Sequence, residues 1–147
     1  MTAYVDFFAE LVRLEIRLWA RLDGSQRSMG VASVAQLQAL RVLQATDGNA
    51  RIQDVAVELQ ITVGAASKLV DRLERDGLAA RIANPADRRS MFVGLTSAGE
   101  HALEHAAAAA AQNLEALLGS TLTPAAAAEL ASTFAALDAA LRRRAVA

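Results

Sequence analysis

The chain has 147 residues, of which 54% are hydrophobic and 21% are charged, and its net charge is −1. This composition excludes a disordered chain and is enough for one globular domain with a real core. The sequence contains no cysteine, which excludes disulfides, zinc–thiolate sites and thiol-based redox sensing, and the low net charge argues against indiscriminate binding of nucleic acid.

Membrane and secretory segments are not expected from the sequence. The apolar runs are dominated by alanine and interrupted by polar residues, so none reaches the roughly 20 apolar residues that span a bilayer. The N-terminal region carries the acidic residues Asp6 and Glu10 and has no basic stretch of the kind that opens a signal peptide. We therefore expect a cytoplasmic protein without membrane contact.

Two helices are predicted in the first 45 residues. The first runs from Tyr4 to Leu22, and residues 24–30 form a mostly polar loop after it. The second runs from Val34 to Gln44 and ends before a Thr-Asp-Gly-Asn turn at residues 46–49. The first helix has apolar residues at helical spacing: Phe7, Phe8, Leu11, Leu14, Leu18 and Trp19.

A helix-turn-helix pattern follows. A short helix is predicted over 51–60 and a second over 63–75, each with apolar residues at positions i, i+3, i+4 and i+7. Thr62 is a natural N-cap for the second of these helices. Gly77 suits the left-handed position that ends it. The inward residues predicted for this helix are Ala66, Leu69, Val70 and Leu73.

A β-hairpin is predicted directly after the helix-turn-helix. Two short apolar runs, 78–83 and 91–96, are joined by the polar turn Asn-Pro-Ala-Asp-Arg-Arg-Ser at residues 84–90. Arg88 and Arg89 lie in this turn, where they can reach a phosphate backbone or a narrow minor groove. The order of these elements predicts a winged helix that binds duplex DNA.

Two long helices complete the predicted fold. Ser97 and Glu100 have the Ser-x-x-Glu spacing of a capping box, and a helix is predicted from there to about Leu118. Thr123, followed by proline, begins a last helix that runs to about Arg144. Both helices are rich in alanine and bury little area alone, so we expect a partner surface against them.

The outward face of the helix predicted over 63–75 is the candidate DNA-reading surface. Its first turn is small and its later part is charged, which suits a helix that enters the major groove by its N-terminal end. Small, hydroxyl and basic side chains there can contact thymine methyls, bases, guanine or phosphate. An ordinary amphipathic surface helix is the alternative. The residues of this face are Thr62, Gly64, Ala65, Ser67, Lys68, Asp71 and Arg72.

The charge distribution and the wing favour the DNA interpretation. Residues 68–91 contain six basic and four acidic side chains, whereas residues 97–138 contain five acidic side chains and no Lys or Arg. At the hairpin tip, Asp87 can hold one of the two guanidinium groups in place. The alternative for the tip is a solvated turn with a weak surface ion pair.

These segments resemble the MarR family of bacterial transcriptional regulators. The resemblance rests on VGAASKLVDRLERDGL at 63–78, Arg81, NPADRRS at 84–90 and LTSAG at 95–99, and it covers roughly residues 34–99. It implies a mainly α fold with a small β-hairpin wing, and a sequence-specific regulator, with repression the commoner behaviour in the family. We expect neither a cofactor nor an enzymatic activity.

The resemblance also implies an assembly. One MarR-type domain would comprise a winged-helix DNA-binding lobe at 34–96 and a helical dimerisation lobe formed by 1–22 and 97–147. The homodimer would place two recognition helices on a palindromic operator with half-sites about one helical turn apart. Arg89 maps to the minor-groove arginine of the family, and Asp87 would brace the wing.

Effector binding is a further implication, because many relatives bind small aromatic or phenolic anions between the two lobes. The candidate pocket residues lie near the expected hinge of the first two helices, although Trp19 also suits a core position. A metal effector is the weaker alternative, since His101 and His105 share one helix face but lack evident further ligands. The candidate pocket residues are Arg17, Trp19, Met29, Arg41 and Gln44.

Two other classes of function compete with DNA binding. An enzyme is disfavoured because the chain has no cysteine, no Gly-x-Ser-x-Gly elbow and no glycine-rich phosphate loop, and its only two histidines share one helix. A winged helix used only for contact with other proteins is disfavoured by Arg88 and Arg89 at the tip. Salt-dependent DNA binding separates this alternative from a regulator.

Overall fold

The computed structural model describes residues 2–145, and in them the chain forms six helices and one two-stranded antiparallel hairpin. Contacts between residues divide the chain into two compact units, and the division falls inside a helix, between Ala110 and Ala111. Within residues 2–145, no helix is long and apolar enough to cross a bilayer. The elements are α1 (Ala3–Ser28), α2 (Val34–Ala45), α3 (Ile52–Leu59), α4 (Val63–Arg75), β1 (Ala79–Ala83), β2 (Met91–Leu95), α5 (Ser97–Leu118) and α6 (Pro124–Ala145).

Helix α1 is longer than predicted, and the expected loop at residues 24–30 is wrong for most of its length. The helix continues through Gly24 to Ser28 because its last turns are held by tertiary contacts. Gln26 is fully buried and its Nε2 donates to the carbonyl of Ala106 at 3.0 Å. These contacts offset the modest cost of a glycine inside a helix.

Helix α2 and the turn after it confirm the prediction to within one residue. Ser33 caps the helix by accepting from the Gln36 N–H at 3.3 Å, and the Gln36 side chain accepts from the Ser33 N–H at 3.0 Å. The turn at residues 46–49 places Asp47 and Gly48 in the left-handed region, with φ of 49° and 79°.

The core of the first unit is the winged helix. Buried leucines and valines from α2, α3, α4 and β2 pack together with smaller residues of α5. The apolar stripe predicted for α4 is confirmed, since all four of its residues are buried. The largest fully buried apolar side chains are Leu40, Leu43, Val55, Val70, Leu73 and Val93.

The hairpin pairs Ala79 with Leu95 at its base and Ala83 with Met91 near its tip. A third short segment joins it, because the Val93 N–H donates to the Ala50 carbonyl at 2.7 Å. This bridge was not predicted, since a single residue before a helix carries no strand pattern. It attaches the wing to the residue that precedes the α3 N-terminus.

The start of α5 differs from the predicted capping box. The cap is Thr96 rather than Ser97: its Oγ1 accepts from the Gly99 N–H at 3.0 Å and donates to the Gly77 carbonyl at 2.6 Å. The Thr96 N–H donates to the Leu78 carbonyl at 3.2 Å. One threonine therefore fastens α5 to the turn between α4 and β1, a tertiary role that local spacing does not predict.

The second unit contains the end of α5 and all of α6. Thr123 caps α6 as predicted, accepting from the Ala126 N–H at 3.2 Å. Helix α6 carries large apolar side chains that remain exposed in this single chain. They are Leu130, Phe134, Leu137 and Leu141, with exposures of 45%, 40%, 47% and 66%.

Candidate nucleic-acid interface

Helix α4 begins and ends where the sequence predicted. The Thr62 hydroxyl accepts from the Ala65 N–H at 3.1 Å, which satisfies one free donor of the first turn. At the other end, Gly77 has φ of 74°, and the N–H groups of Gly77 and Leu78 donate to Glu74 and Leu73 at 3.0 and 2.8 Å. This is a Schellman motif, which stops the helix and turns the chain into β1.

The turn between α3 and α4 contains a residue with a left-handed backbone conformation, which the sequence did not predict. Gln60 has φ of 52°, although glycine is the usual residue there. The Ile61 N–H donates to the Ala56 carbonyl at 3.0 Å, and the Gln60 side chain donates to the Val57 carbonyl at 2.7 Å. These bonds fix the angle at which α4 leaves α3.

The predicted DNA-reading face of α4 points to solvent. Ser67 is half-buried, and the remaining members of the face are exposed. The first turn presents a glycine and an alanine, so the backbone there can approach another molecule closely. The exposed members are Thr62, Gly64, Ala65, Lys68, Asp71 and Arg72.

The wing tip is shaped by Asn84, which is only 4% exposed. Its Oδ1 accepts from the Ala86 N–H at 2.9 Å and its Nδ2 donates to the Ser90 Oγ at 2.9 Å. These two bonds close the seven-residue turn across its base. Sequence reasoning identified Asn84 as a turn residue but did not predict that its side chain is buried and holds the turn together.

Asp87 organises the backbone of the tip rather than a guanidinium group. Its Oδ1 accepts from the Arg89 N–H at 2.9 Å, and its carbonyl accepts from the Ser90 N–H at 3.1 Å. The expectation of an Asp87–guanidinium pair is therefore wrong, because a carboxylate two residues before an N–H closes an Asx-type turn. Arg88 and Arg89 are exposed and form no ion pair with any part of residues 2–145.

A charge cluster that sequence reasoning missed joins the wing to α4. Arg81, on β1, forms an ion pair with Asp71 through Nη2 at 2.6 Å and a second with Glu74 through Nη1. The hydrogen bond to Asp71 raises the pKa of the Arg81 guanidinium, with help from the charges of both carboxylates and against the effect of burial. The sequence separation of these residues gives no helical or strand spacing that predicts the contact.

The five predicted pocket residues are exposed in the structure. Gln44 lines a cavity of about 210 Å³ between the turn at 46–49 and the hairpin. Trp19 is 43% exposed, so the alternative of a core position is wrong within this chain. The remaining three, Arg17, Met29 and Arg41, lie on exposed surface.

A different cavity, of about 340 Å³, lies beside the start of α2 within the first unit. Its wall combines apolar residues with three polar side chains, Gln36, Asp76 and His105. His105 is therefore a cavity-lining residue, and His101 is exposed on the same helix. Across residues 2–145, no group of three or more His, Cys, Asp or Glu side chains is arranged to hold a metal.

Comparison with known proteins agrees with this architecture. The model of the MarR family matches residues 32–90. A MarR-family transcriptional regulator from Rhodococcus sp. RHA1 superposes with a TM-score of 0.82 at 18% identity, covering 93% of this chain and 95% of that one. A search of curated proteins found no match.

Two further solved structures are similar, and both proteins interact with small molecules. CouR from Rhodococcus jostii RHA1, bound to p-coumaroyl-CoA, has a TM-score of 0.75 at 19% identity and covers 90% of this chain and 91% of that one. BpsR from Bordetella bronchiseptica, whose DNA binding is regulated by 6-hydroxynicotinic acid, has a TM-score of 0.73 at 25% identity with coverage of 88% and 91%.

The fold is therefore that of a winged helix-turn-helix protein. Residues 32–90 match the model of the MarR family, and the fold of the chain is similar to that of a MarR-family transcriptional regulator. The matched segment contains the helix-turn-helix and most of the wing on which the resemblance in the sequence rests.

Proposed function

We propose that this protein is a homodimeric transcriptional regulator of the cytoplasm that binds a palindromic operator in duplex DNA, most simply as a repressor. One observation carries the proposal. The exposed face of α4 and the exposed arginines of the wing follow each other in the chain, and both are held by defined backbone contacts. This combination supplies a base-reading element and a backbone-binding element in one lobe.

Each side of the interface has a distinct role in this proposal. The first turn of α4 enters the major groove, where Ala65 packs on a thymine methyl and Ser67 contacts a base or phosphate. Lys68 and Arg72 bind guanine or phosphate farther along the helix. Arg89 enters the flanking minor groove, whose negative potential attracts a guanidinium.

The homodimer is supported by apolar surface that the single chain leaves uncovered. Helix α1 has eight large apolar side chains that are at least 37% exposed, and α6 has four more. Large apolar side chains exposed in such numbers on one helix favour an interface between proteins. A two-fold dimer places its two recognition helices about 34–36 Å apart, which is one turn of DNA.

An effector that releases the DNA is supported by the ligands of two similar proteins, p-coumaroyl-CoA and 6-hydroxynicotinic acid. For this chain we propose a small aromatic or anionic effector. The cavity that contains Gln36 and His105 is a second candidate site for it, beside the residues predicted from the sequence. Binding there shifts the population of DNA-competent dimers if the effector has different affinities for the two states.

The first test is a footprint of the purified protein on the intergenic DNA upstream of its own gene, followed by affinity measurements across a salt series. Roughly six to eight phosphate contacts per dimer give a slope of about −5 to −7 in log K against log salt concentration. A protected palindrome with such a slope supports the proposal. Weak, sequence-blind binding contradicts it and favours a winged helix that contacts other proteins.

A further inference from the structure

The contact between Arg81 and helix α4 has a consequence for DNA binding. Arg81 lies on β1 opposite Val93, and its side chain is 27% exposed. Its guanidinium reaches across to α4 and engages Asp71 and Glu74 together. The wing and the recognition helix are therefore joined through one arginine and two carboxylates.

Without that arginine, the carboxylates of α4 have other partners within reach. Asp71 lies three residues after Lys68 and four residues before Arg75, and both spacings bring side chains together on a helix surface. Ion pairs of this kind would occupy the cations that face the DNA. In the structure, Asp71 is instead paired with Arg81, and Lys68 and Arg72 are exposed without an ion pair among residues 2–145.

We propose that Arg81 is a positioning residue for DNA binding, which holds Asp71 and Glu74 away from Lys68 and Arg72. The inference rests on the proposed function, and it adds a residue that sets the affinity for DNA without contacting DNA itself. Lys68 and Arg72 then remain available for phosphates, whereas Arg75 is paired with Asp76 at 3.4 Å. The negative charge of the two acids is directed toward Arg81 rather than toward the nucleic acid.

The chemistry of arginine suits this role. A guanidinium presents several N–H donors in a rigid, planar fork, so its two terminal nitrogens can each bind a different carboxylate. A lysine ammonium is a compact point charge that does not reproduce this fork. Arg81→Lys is therefore expected to restrain one carboxylate at a time and to have an intermediate effect on DNA affinity.

The expected size of the effect follows from the salt dependence of phosphate contacts. Each contact contributes about 0.9 to the slope of log K against log salt, which corresponds to roughly an eightfold change in affinity between 1 M and 0.1 M salt. If Arg81→Ala lets Asp71 recapture one cation in each protomer, the dimer loses two contacts. The slope then becomes less steep by about 2, and affinity at 0.1 M salt falls by roughly 60-fold.

The decisive experiment compares four proteins on one operator across a salt series. They are the wild type, Arg81→Ala, the double variant Asp71→Asn/Glu74→Gln, and the triple variant that combines all three changes. Arg143→Ala, near the end of α6, is the matched control for loss of an exposed arginine. Thermal unfolding and the oligomeric state are measured for every protein.

We expect the triple variant to bind the operator with the affinity of the wild type and with the same slope of log K against log salt concentration. A triple variant as weak as Arg81→Ala would overturn the inference, because Arg81 would then act on DNA directly. If Arg81→Ala does not fold, the double variant Asp71→Asn/Glu74→Gln still provides a test. It should bind the operator at least as tightly as the wild type does, and weaker binding would overturn the inference. Failure of the wild type to bind DNA would instead overturn the proposed function itself, and this inference with it.

Discussion

Replacement of Gly99 by alanine is predicted to destabilise the winged helix, even though alanine is the better helix former. A Cβ at this position would lie 2.9 Å from the Leu78 carbonyl carbon and 3.3 Å from Leu95 Cδ2, with the Leu78 oxygen closer than either. The two nearest obstructing atoms belong to the backbone of Leu78 and cannot rotate away. The Leu78 carbonyl oxygen also accepts a hydrogen bond from the Thr96 N–H. A Cβ at position 99 therefore forces the start of α5 to move, which weakens that hydrogen bond.

The expected change in the free energy of unfolding for Gly99→Ala follows from three contributions. Overpacking costs about 1–3 kcal/mol, and loss of the Thr96–Leu78 hydrogen bond adds about 1 kcal/mol. The higher helix propensity of alanine offsets about 1 kcal/mol. We therefore expect Gly99→Ala to reduce the free energy of unfolding by about 1–3 kcal/mol, which lowers the Tm by roughly 2–4 °C per kcal/mol.

Thermal unfolding followed by circular dichroism measures this effect, at one protein concentration because dimerisation shifts apparent stability. Gly24→Ala is the matched control, since Gly24 is also inside a helix but has nothing within 4 Å of an added Cβ. That change should stabilise the protein by about 0.5–1 kcal/mol. Equal or higher stability of Gly99→Ala than of the wild type would refute the close approach of α5 to Leu78.

Three further predictions concern the DNA interface. Arg89→Ala should lower operator affinity roughly tenfold or more, as expected for a lost guanidinium in the negative potential of the minor groove, while size-exclusion chromatography shows an intact dimer; unchanged affinity would contradict the wing assignment. Ser67→Ala and Lys68→Ala should change the preferred sequence in a selection from random DNA, whereas uniform weakening would assign both residues to phosphates. Asn84→Ala removes both bonds across the base of the wing, costs about 1–3 kcal/mol as the net contribution of two hydrogen bonds, and should weaken DNA binding; unaltered stability and affinity would show that the turn does not need this side chain.

The recognition helix and the hairpin were predictable because their signals are local. Thr62 and Gly77 mark the two ends of α4, and the four apolar residues between them lie on one face at helical spacing. The wing is signalled by a turn-forming segment between two apolar runs. Each of these features is decided by residues within one helix or one hairpin, so the local sequence contains the information.

The errors arose where distant residues decide the structure. The predicted end of α1 relied on the mostly polar character of residues 24–30, but Gln26 bonds to Ala106, which lies 80 residues away. Similarly, the expected capping box relied on Ser97, whereas Thr96 is selected because its hydroxyl also reaches Gly77. In both cases a tertiary hydrogen bond outweighed a local preference, and no local pattern encodes such a bond.

Trp19 illustrates a second limit of sequence reasoning. Its position in an apolar helical stripe indicates burial, yet the side chain is 43% exposed in the single chain. Periodicity identifies a face that avoids water but does not distinguish burial within the chain from burial against a partner. On the proposed dimer the two interpretations agree, because the stripe on α1 is then covered by the second copy.

The net charge of −1 and the proposed DNA binding are compatible because the partners of the charges matter more than their sum. In residues 68–91, two of the four acidic side chains are engaged by Arg81 and a third, Asp87, accepts a backbone N–H in the wing turn. Those carboxylates are restrained, whereas Lys68, Arg72, Arg88 and Arg89 are exposed. A protein of near-zero net charge can therefore present a basic surface to DNA at α4 and the wing.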